Sequence, residues 1–321
     1  MPRPARRLKS LAAALSSLAL LTGAAACATD VPLQTLEERY TNPASRFITV
    51  SDGTRVHVRD EGLRDGPVLV LLHGSNAALQ SWEPWVGELR ERFRLVSLDF
   101  PGHGLTGPSA SRTYGGPAYV QVVDDVVGAL GINRFAVAGN SMGGAVAWQY
   151  TVAHPDKVRA LILLNSAGYP RANPGTQPLI FRLVRTPVVG ELLSGFSSRG
   201  LIESNLKDVI ADDSLVTDRM IDTYWDLLRR PGNRQATLDR MRAPPADPEA
   251  WRRIATIRVP TLVLWGEVDP WIPASDAARY TADIPGARAI IYPGIGHLPH
   301  EEVPARSAAD VSAFLAGVPA P

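Results

Sequence analysis

Residues 134–150, RFAVAGNSMGGAVAWQY, decide the fold of this chain of 321 residues. An apolar run typical of a buried strand ends at Gly139, and a helical pattern begins within the next few residues. The segment from Gly139 to Gly143 has the G-x-S-x-G pattern, in which a sharp turn from strand to helix exposes the central serine, here Ser141. The positions two before and two after the apex press on neighbouring backbone, so both favour glycine. The pattern therefore predicts Ser141 at a helix N-terminus, where free N–H groups favour negative charge.

The first 26 residues have the pattern of an export signal. Basic side chains are concentrated in residues 1–9, and a mostly apolar run follows over 11–26. This run is shorter than the ~20 residues that a membrane-spanning helix needs, which favours export over permanent anchoring by this segment. The run ends at Cys27, the only cysteine in the chain, in a sequence that resembles a bacterial lipoprotein box. We expect a protein of the cell envelope, with membrane attachment through lipidated Cys27 and ordinary cleavage with secretion as the two alternatives.

Composition and charge exclude several classes of function. Apolar residues make up 45% of the chain, which is enough for a hydrophobic core that needs no internal disulfide. The formal net charge is +1 and no basic run is present, so we expect no nucleic-acid partner. The chain has neither an H-E-x-x-H motif nor paired Cys and His spacings, so we expect no metal and no cofactor. The sequence does not point to any protein partner.

The remaining sequence divides into segments of different pattern. Residues 27–44 are mostly polar and predict a tether. Residues 45–168 begin with an alternating pattern that predicts a β-hairpin, and His57 in this hairpin is predicted to lie on the surface. The rest of this range, and residues 256–321, consist of apolar strand patterns that are each followed by a helical pattern. This order predicts a mostly parallel sheet with helices on both faces, an α/β fold. Residues 169–255 interrupt it with short amphipathic helical patterns and predict an inserted helical cap. The predicted parallel strands are 68–72, 95–98, 135–138, 160–164, 261–265 and 289–292.

A serine nucleophile needs a base, an acid that orients the base, and donors for the oxyanion. Asp269 follows the strand at 261–265, and His297 follows the last predicted strand. The binding and catalytic residues of such a sheet lie at the carboxyl ends of its strands. We therefore expect these two residues to lie close to Ser141 at one edge of the sheet. His300 is the alternative base, and Glu267 is the rival acid on the opposite face of the strand end. The order serine, acid, histidine predicts a triad of Ser141, His297 and Asp269.

A second glycine pattern, at residues 102–107, satisfies G-x-G-x-x-G after a predicted strand. A dinucleotide site needs a helix that opens within the glycines, whereas this segment continues as a loop. We therefore expect Asp99 and His103, in the same loop, to brace the turn by hydrogen bonds.

Five motifs together resemble the α/β-hydrolase superfamily: HGSN at 73–76, DFPGHG at 99–104, GNSMGG at 139–144, GEVDP at 266–270 and GIGH at 294–297. The resemblance extends over nearly the whole chain after the export signal. It implies Ser141 as nucleophile, His297 as base and Asp269 as orienting acid. It also implies an oxyanion hole made by the backbone N–H groups of Ser75 and Met142.

The resemblance implies hydrolysis of small to medium carboxylic esters or lactones through an acyl-enzyme. A serine nucleophile argues against haloalkane dehalogenases and epoxide hydrolases, which use aspartate. The elbow is also similar to that of carbon–carbon hydrolases of ring-cleavage products, although residues 75–78 hold fewer glycines than the first loop of those enzymes. That activity and a cofactor-free haloperoxidase activity remain alternatives.

Aromatic side chains are the candidate substrate contacts. Trp271 lies two residues after the predicted acid, and Trp82 lies near the predicted oxyanion loop. The cap segment adds Phe181, Phe196, Tyr224, Trp225 and Trp251.

Overall fold

The computed structural model describes residues 29–170, 186, 197–243 and 246–319. Its strands form one sheet with the order β1-β2-β4-β3-β5-β6-β7-β8. The first two pairings, β1 with β2 and β2 with β4, are antiparallel, and the other five are parallel. The mostly parallel sheet is therefore as the sequence predicts. The strands are β1 Ser45–Thr49, β2 Arg55–Gly62, β3 Val68–Leu72, β4 Arg94–Leu98, β5 Phe135–Asn140, β6 Val158–Leu164, β7 Thr261–Gly266 and β8 Arg288–Tyr292.

Helices connect and cover the strands. The α-helices are α1 Leu33–Tyr40, α2 Glu83–Leu89, α3 Gly116–Ala129, α4 Met142–Ala153, α5 Arg199–Val209, α6 Asp218–Leu228, α7 Asn233–Arg242, α8 Ser275–Asp283, α9 Pro299–Glu302 and α10 Pro304–Ala316. Short 3₁₀ helices are Leu79–Trp82, Asp213–Leu215 and Ala250–Thr256.

The core consists of two apolar layers, one on each face of the sheet. Alternate side chains of β3 belong to different layers, since successive residues of a strand point to opposite faces. Val70 belongs to the layer that includes side chains of α3, α4 and α8, and Leu71 belongs to the layer that includes side chains of α2 and α10. Both side chains are fully buried, and burial of one such side chain stabilises the fold by about 1.5–3 kcal/mol. The two layers hold the strand ends, and the loops that follow them, in fixed positions.

The segment before β1 differs from the predicted tether. Helix α1 forms within residues 27–44, and its Leu36 is fully buried in a small apolar cluster that includes Leu227 of α6. The hydroxyl of Tyr40 donates to Asp226 Oδ2 at 2.9 Å. The polar composition that suggests a tether belongs to one face of a helix whose other face packs against α6.

Between β6 and β7 the described chain contains only helices and loops. The described part of this segment, residues 197–243 and 246–256, is the helical insert. Helix α6 matches the helical spacing seen in the sequence, and its N-cap is Thr217, whose hydroxyl accepts from the Met220 N–H. Asp247 lies before the 3₁₀ helix Ala250–Thr256, and its Oδ1 accepts from the Glu249 N–H at 2.9 Å. The positions of Phe181, Phe196 and Cys27 lie outside the described residues.

His57 lies in the interior, and the prediction of a surface position is wrong. Its Nδ1 lies 2.8 Å from Asp99 Oδ2 and its Nε2 lies 3.0 Å from Ser45 Oγ. Asp99 also accepts from the backbone N–H groups of Leu79 and Leu105, at 2.8 and 2.9 Å. Burial alone would raise the pKa of Asp99, but these hydrogen bonds outweigh it and lower the pKa to about 2. The bracing role expected for Asp99 is thus confirmed, and a buried histidine contributes to it.

Candidate active site

The turn that carries Ser141 is as tight as the sequence predicts. Ser141 stands between β5 and α4 with φ 52° and ψ −114°, a conformation that is costly for a residue other than glycine. A Cβ atom on Gly139 would lie 2.2 Å from the carbonyl oxygen of Gly143. A Cβ atom on Gly143 would lie 2.0 Å from the carbonyl oxygen of Leu72, on the neighbouring strand. Both glycines are therefore required by backbone contacts, which hold Ser141 in its strained conformation.

The predicted base and acid form a direct pair. His297 Nδ1 lies 2.7 Å from Asp269 Oδ2, and the two side chains are 2% and 0% exposed. The other carboxylate oxygen of Asp269 accepts from the backbone N–H groups of Trp271 and Ile272, at 2.7 and 3.0 Å. Burial opposes ionisation of Asp269, but the hydrogen bond to His297 and those from its neighbours lower its pKa. An ionised Asp269 fixes the proton of His297 on Nδ1.

The other ring nitrogen of His297 is left as a free acceptor. Nε2 is buried and has no hydrogen-bond partner within the described ranges. The loop that carries His297 is joined to the strand end beside the nucleophile, since Asn140 Nδ2 donates to the His297 carbonyl at 3.1 Å and to the Leu164 carbonyl at 3.2 Å. A neutral histidine with its proton on Nδ1 and a free Nε2 is the form that a general base for Ser141 requires.

The oxyanion loop, residues 73–79, follows β3 and lies against the turn at Ser141. A Cβ atom on Gly74 would lie 2.8 Å from Asn140 Oδ1, directly before the nucleophile. His73 Nε2 accepts from the Phe100 N–H at 3.0 Å, so its Nδ1–H donates to the Gly74 carbonyl at 2.7 Å. Ser75 is the next residue of this loop. The arrangement places the predicted donor loop beside the turn that carries Ser141.

The second predicted donor lies at the start of α4. Met142 is the first residue of this helix, whose first N–H groups have no partner within the helix. These N–H groups are also at the positive end of the helix dipole, where they stabilise an anion. Both predicted donors therefore lie next to the turn that carries Ser141, Met142 directly after it and Ser75 in the loop beside it.

The two predicted tryptophan contacts have different environments. The Trp271 ring centre lies 5.2 Å from that of His297, so this side chain borders the base. Trp82 is fully buried, with ring centres of Trp85 and His300 at 5.1 and 4.3 Å. The structure therefore places Trp82 inside the core layer and not on an open surface. His300, the alternative base, is buried beside it.

The insert aromatics within the described residues are engaged with their own surroundings. The Tyr224 hydroxyl donates to Glu301 Oε1 at 2.8 Å. The Arg229 guanidinium stacks over the Trp225 ring, and the Arg252 guanidinium stacks over the ring of Trp251.

Several residues that support the site were not identified from the sequence. Asn165 Nδ2 donates to Asp269 Oδ2 at 2.6 Å, and its Oδ1 accepts from the Gly266 N–H at 3.1 Å. Glu302 accepts from the backbone N–H groups of Gly296 and Leu298, which flank His297, each at 3.0 Å. The available signal for Asn165 was its place at the end of β6, next to the strand that carries the acid.

The helical insert also reaches the site. The His297 N–H donates to the Val209 carbonyl at the end of α5, at 2.8 Å. From α7, Arg240 Nη2 donates to Ser75 Oγ at 2.7 Å. The sequence had no signal for either contact, since each joins residues far apart in the chain.

Within residues 29–170, 197–243 and 246–319, no group of three His, Cys, Asp or Glu side chains is placed to hold a metal ion. In the same ranges no helix has the length and apolar character needed to cross a membrane.

Comparison with known proteins supplies three similarities. A 2-hydroxy-6-oxononadienedioate/2-hydroxy-6-oxononatrienedioate hydrolase of Cupriavidus pinatubonensis is 30% identical over 270 residues, which cover 79% of this chain and 89% of the relative. A hydrolase of the same name from Comamonas testosteroni is 24% identical over 277 residues, covering 82% of this chain and 93% of the relative. The crystal structure of a membrane phospholipase A has a TM-score of 0.67 and 25% identity, and the match covers 97% of this chain and 98% of that one.

A family model described as alpha/beta hydrolase fold matches residues 67–304. These residues include the turn at Ser141, the pair of Asp269 and His297, and the oxyanion loop. On this match, on the relatives and on the sheet topology, the chain belongs to the α/β-hydrolase family and is a hydrolase.

Proposed function

We propose that the chain breaks a bond next to a carbonyl group through an acyl-enzyme on Ser141. The observation that carries the proposal is the 2.7 Å pairing of His297 Nδ1 with Asp269 Oδ2, which leaves Nε2 free as an acceptor. Asn140, the residue before Ser141, donates to the His297 carbonyl and so joins the loop of the base to the turn of the serine, which is held at φ 52°. Ser141 Oγ bonds to the carbonyl carbon as His297 takes its proton, and the carbonyl π electrons move to oxygen. The N–H groups of Ser75 and Met142 hold this oxyanion.

The same groups release the leaving group and then hydrolyse the acyl-enzyme. The oxyanion collapses, the leaving group departs with the proton from His297, and the acyl chain remains on Ser141. Water then loses a proton to His297 and attacks the acyl carbon, which releases an acid and regenerates the serine. Asp269 stays ionised throughout and stabilises the charged form of His297.

Among carbonyl substrates, we propose carbon–carbon cleavage of a vinylogous diketo acid as the first candidate. The named activity of the relatives in Cupriavidus and Comamonas supports this choice over the simple esters that the sequence motifs favoured. The leaving group would be a carbon that departs as an enolate and accepts the proton from His297. The same base can serve either leaving group, since only the acceptor of its proton differs.

Ester cleavage is the second candidate. The similarity to a phospholipase A, an esterase of lipids, supports it, and this match covers almost the full length of both chains. A perhydrolase side activity would use the same three residues.

A direct comparison of substrates tests these candidates. We would measure kcat/KM of the purified chain on 2-hydroxy-6-oxononadienedioate, followed by loss of the dienol absorbance, and on p-nitrophenyl butyrate and a dispersed phospholipid. A preference of about tenfold or more for the diketo acid supports the first candidate, and the opposite preference supports the second. Equal turnover of every substrate by Ser141→Ala and wild type would overturn the acyl-enzyme itself.

We further propose that the export signal over residues 1–26 delivers the chain to the cell envelope, where lipidated Cys27 holds it on the membrane. The lipoprotein-like sequence around this single cysteine supports the proposal. Two acyl chains provide stable attachment, because each buried methylene contributes ~0.8 kcal/mol. Wild-type protein should sediment with membranes and Cys27→Ser should not; a soluble wild type whose N-terminus is another residue would contradict this.

A further inference from the structure

The oxyanion loop, residues 73–79, is fixed by the sheet at its two ends. At the first end the His73 ring accepts from the Phe100 N–H, just after β4, and at the second end the Leu79 N–H donates to the buried Asp99 carboxylate. Ser75 and Asn76 lie between these points. Their side chains instead contact the helical insert, so the middle of the loop depends on a different part of the chain.

That contact is made by one arginine of α7. Arg240 Nη2 donates to Ser75 Oγ at 2.7 Å and lies 3.3 Å from Asn76 Oδ1. Asn76 has φ 60°, in the left-handed region, which asparagine adopts more readily than most residues with a side chain. The guanidinium therefore holds a serine whose own N–H is the expected oxyanion donor, together with the residue at which the loop turns.

No carboxylate among the described residues pairs with the positive charge of Arg240. Two other arginines near α7 each pair with an acid, Arg229 with Asp226 and Arg234 with Asp30, both at 2.6 Å. Arg240 makes no ion pair with any residue in the described ranges, and its Nε is buried without a hydrogen-bond partner. Burying a cation among neutral partners lowers the stability of the fold, so stability alone does not explain this arginine.

The charge also acts on its neighbours around the loop. Burial lowers the pKa of His73; the Arg240 charge acts in the same direction and Asp99 acts against it. Burial likewise lowers the pKa of Arg240 itself. The guanidinium is thus close enough to influence the electrostatics of the oxyanion loop.

We propose that Arg240 is a positioning residue that completes the oxyanion hole from the helical insert. It holds Ser75 so that the backbone N–H faces the reacting carbonyl, and it brings positive charge close to the oxygen that becomes negative. Arg240 neither gains nor loses a proton in the cycle. The hole would then be fully formed only when α7 is seated on the loop. This inference rests on the acyl-enzyme proposed above.

The test compares variants of the full chain on a neutral and an acidic ester, p-nitrophenyl butyrate and p-nitrophenyl hemisuccinate. Arg240→Gln should lower kcat on both esters by about 10- to 100-fold. Removal of an oxyanion donor itself lowers kcat by about 100- to 1000-fold, so the loss of a residue that only positions the donor should not exceed this range. KM should stay within about threefold, since the lost interaction belongs to the transition state. Arg240→Lys should recover part of kcat, because an ammonium group keeps the charge and can donate to Ser75.

Two further variants separate this role from general destabilisation. Arg234→Gln is the matched control on the same helix, and it should change kcat by no more than about twofold. Ser75→Ala keeps the backbone N–H and removes the hydroxyl, so Ser75→Ala/Arg240→Gln should be hardly slower than Arg240→Gln alone. A boronic acid, which forms a tetrahedral adduct with Ser141, should bind Arg240→Gln more weakly by the same factor as kcat falls.

Three results would overturn the inference. Unchanged kcat in Arg240→Gln would show that the loop needs no support from α7. A loss confined to the hemisuccinate would make Arg240 a binding group for a substrate carboxylate instead, and equal losses in Arg234→Gln and Arg240→Gln would indicate only a weakened helix. Failure of the acyl-enzyme is recognised separately, because it requires turnover by Ser141→Ala.

Discussion

The strand ends and the helical insert contribute to one site by different physical means. At the strand ends, position is set by backbone against backbone: Gly143 lies so close to Leu72 that no side chain fits between them. From the insert, position is set by a long side chain that crosses a gap, as Arg240 does to reach Ser75. The first arrangement permits almost no variation, whereas the second depends on where a whole helix lies.

This difference suggests a division of labour. The strand ends hold Ser141 and His297, for which we propose bond formation and proton transfer, and Asp269, which is paired with His297. The insert supplies groups that act through others, such as the Val209 carbonyl, which accepts from the His297 N–H, and the Arg240 guanidinium. Groups that must stay within a fraction of an ångström are thereby placed on the most rigid part of the fold.

The largest expected effect tests whether the strand-end residues act as a unit. Ser141→Ala and His297→Ala should each lower kcat by roughly 10⁴- to 10⁶-fold, and the double variant should be hardly slower than either single variant. His154→Ala, at the end of α4, is the control and should change kcat by no more than about twofold. A fluorophosphonate should label wild type and not Ser141→Ala. If the loss of kcat in the double variant equals the product of the two single losses, Ser141 and His297 act independently. The strand ends would then not carry a single catalytic unit.

The next effect tests the backbone contacts themselves. A methyl group on Gly143 would meet the Leu72 carbonyl at 2.0 Å, so Gly143→Ala should lower the free energy of unfolding by about 3 kcal/mol or more. Gly87→Ala on α2 is the matched control, because no atom lies within 4 Å of the added carbon. It should raise stability by about 0.5–1 kcal/mol, the usual gain from replacing glycine in a helix. Urea unfolding followed by circular dichroism measures both, and equal midpoints for Gly143→Ala and wild type would contradict the close contact.

Much of the strand-end region could be predicted from the sequence because its requirements are local. Only glycine fits two residues before and two residues after Ser141, so the sequence motif itself indicates the tertiary contact. Apolar strands followed by helices specify a parallel sheet, and a parallel sheet brings strand ends to one edge. The pairing of Asp269 with His297 followed from these two facts without knowledge of any distance.

The insert and the first helix could not be predicted to the same depth. Ser75 and Arg240 are 165 positions apart, and nothing in the local pattern of α7 indicates what its arginine contacts. The buried state of His57 depends on Asp99, 42 positions away. Helix α1 was missed because its one buried leucine, Leu36, gains partners from distant parts of the chain, among them Ala78, Leu105 and, from α6, Leu227. These features arise from long-range packing, which single-sequence patterns do not contain.

A second contact between the insert and the core involves a buried carboxyl group. Glu301 is 6% exposed and accepts from the Tyr224 hydroxyl of α6 at 2.8 Å. Burial raises its pKa to about 8; the hydrogen bond from Tyr224 acts against this shift, and the negative charges of Glu302 and Glu83 add to it. The neighbouring His300 has its pKa lowered by burial to about 3, so it is neutral at physiological pH and does not compensate an ionised Glu301.

The smallest expected effect is the pH dependence that Glu301 gives to stability. An ordinary glutamate in the unfolded chain ionises near pH ~4.3, whereas folded Glu301 keeps its proton up to about pH 8. Its contribution to the free energy of unfolding is therefore fully present below the unfolded pKa and is lost as pH rises from about 4.5 to 8. Wild type should lose on the order of 2 kcal/mol relative to Glu301→Gln across this window, because glutamine keeps the Tyr224 contact and cannot ionise. Exposed Glu88→Gln should show no such trend against wild type. Denaturant unfolding at pH 5, 6.5 and 8 measures the difference, and a gap between wild type and Glu301→Gln that stays constant over these values would mean that the carboxyl group is already ionised in the folded chain.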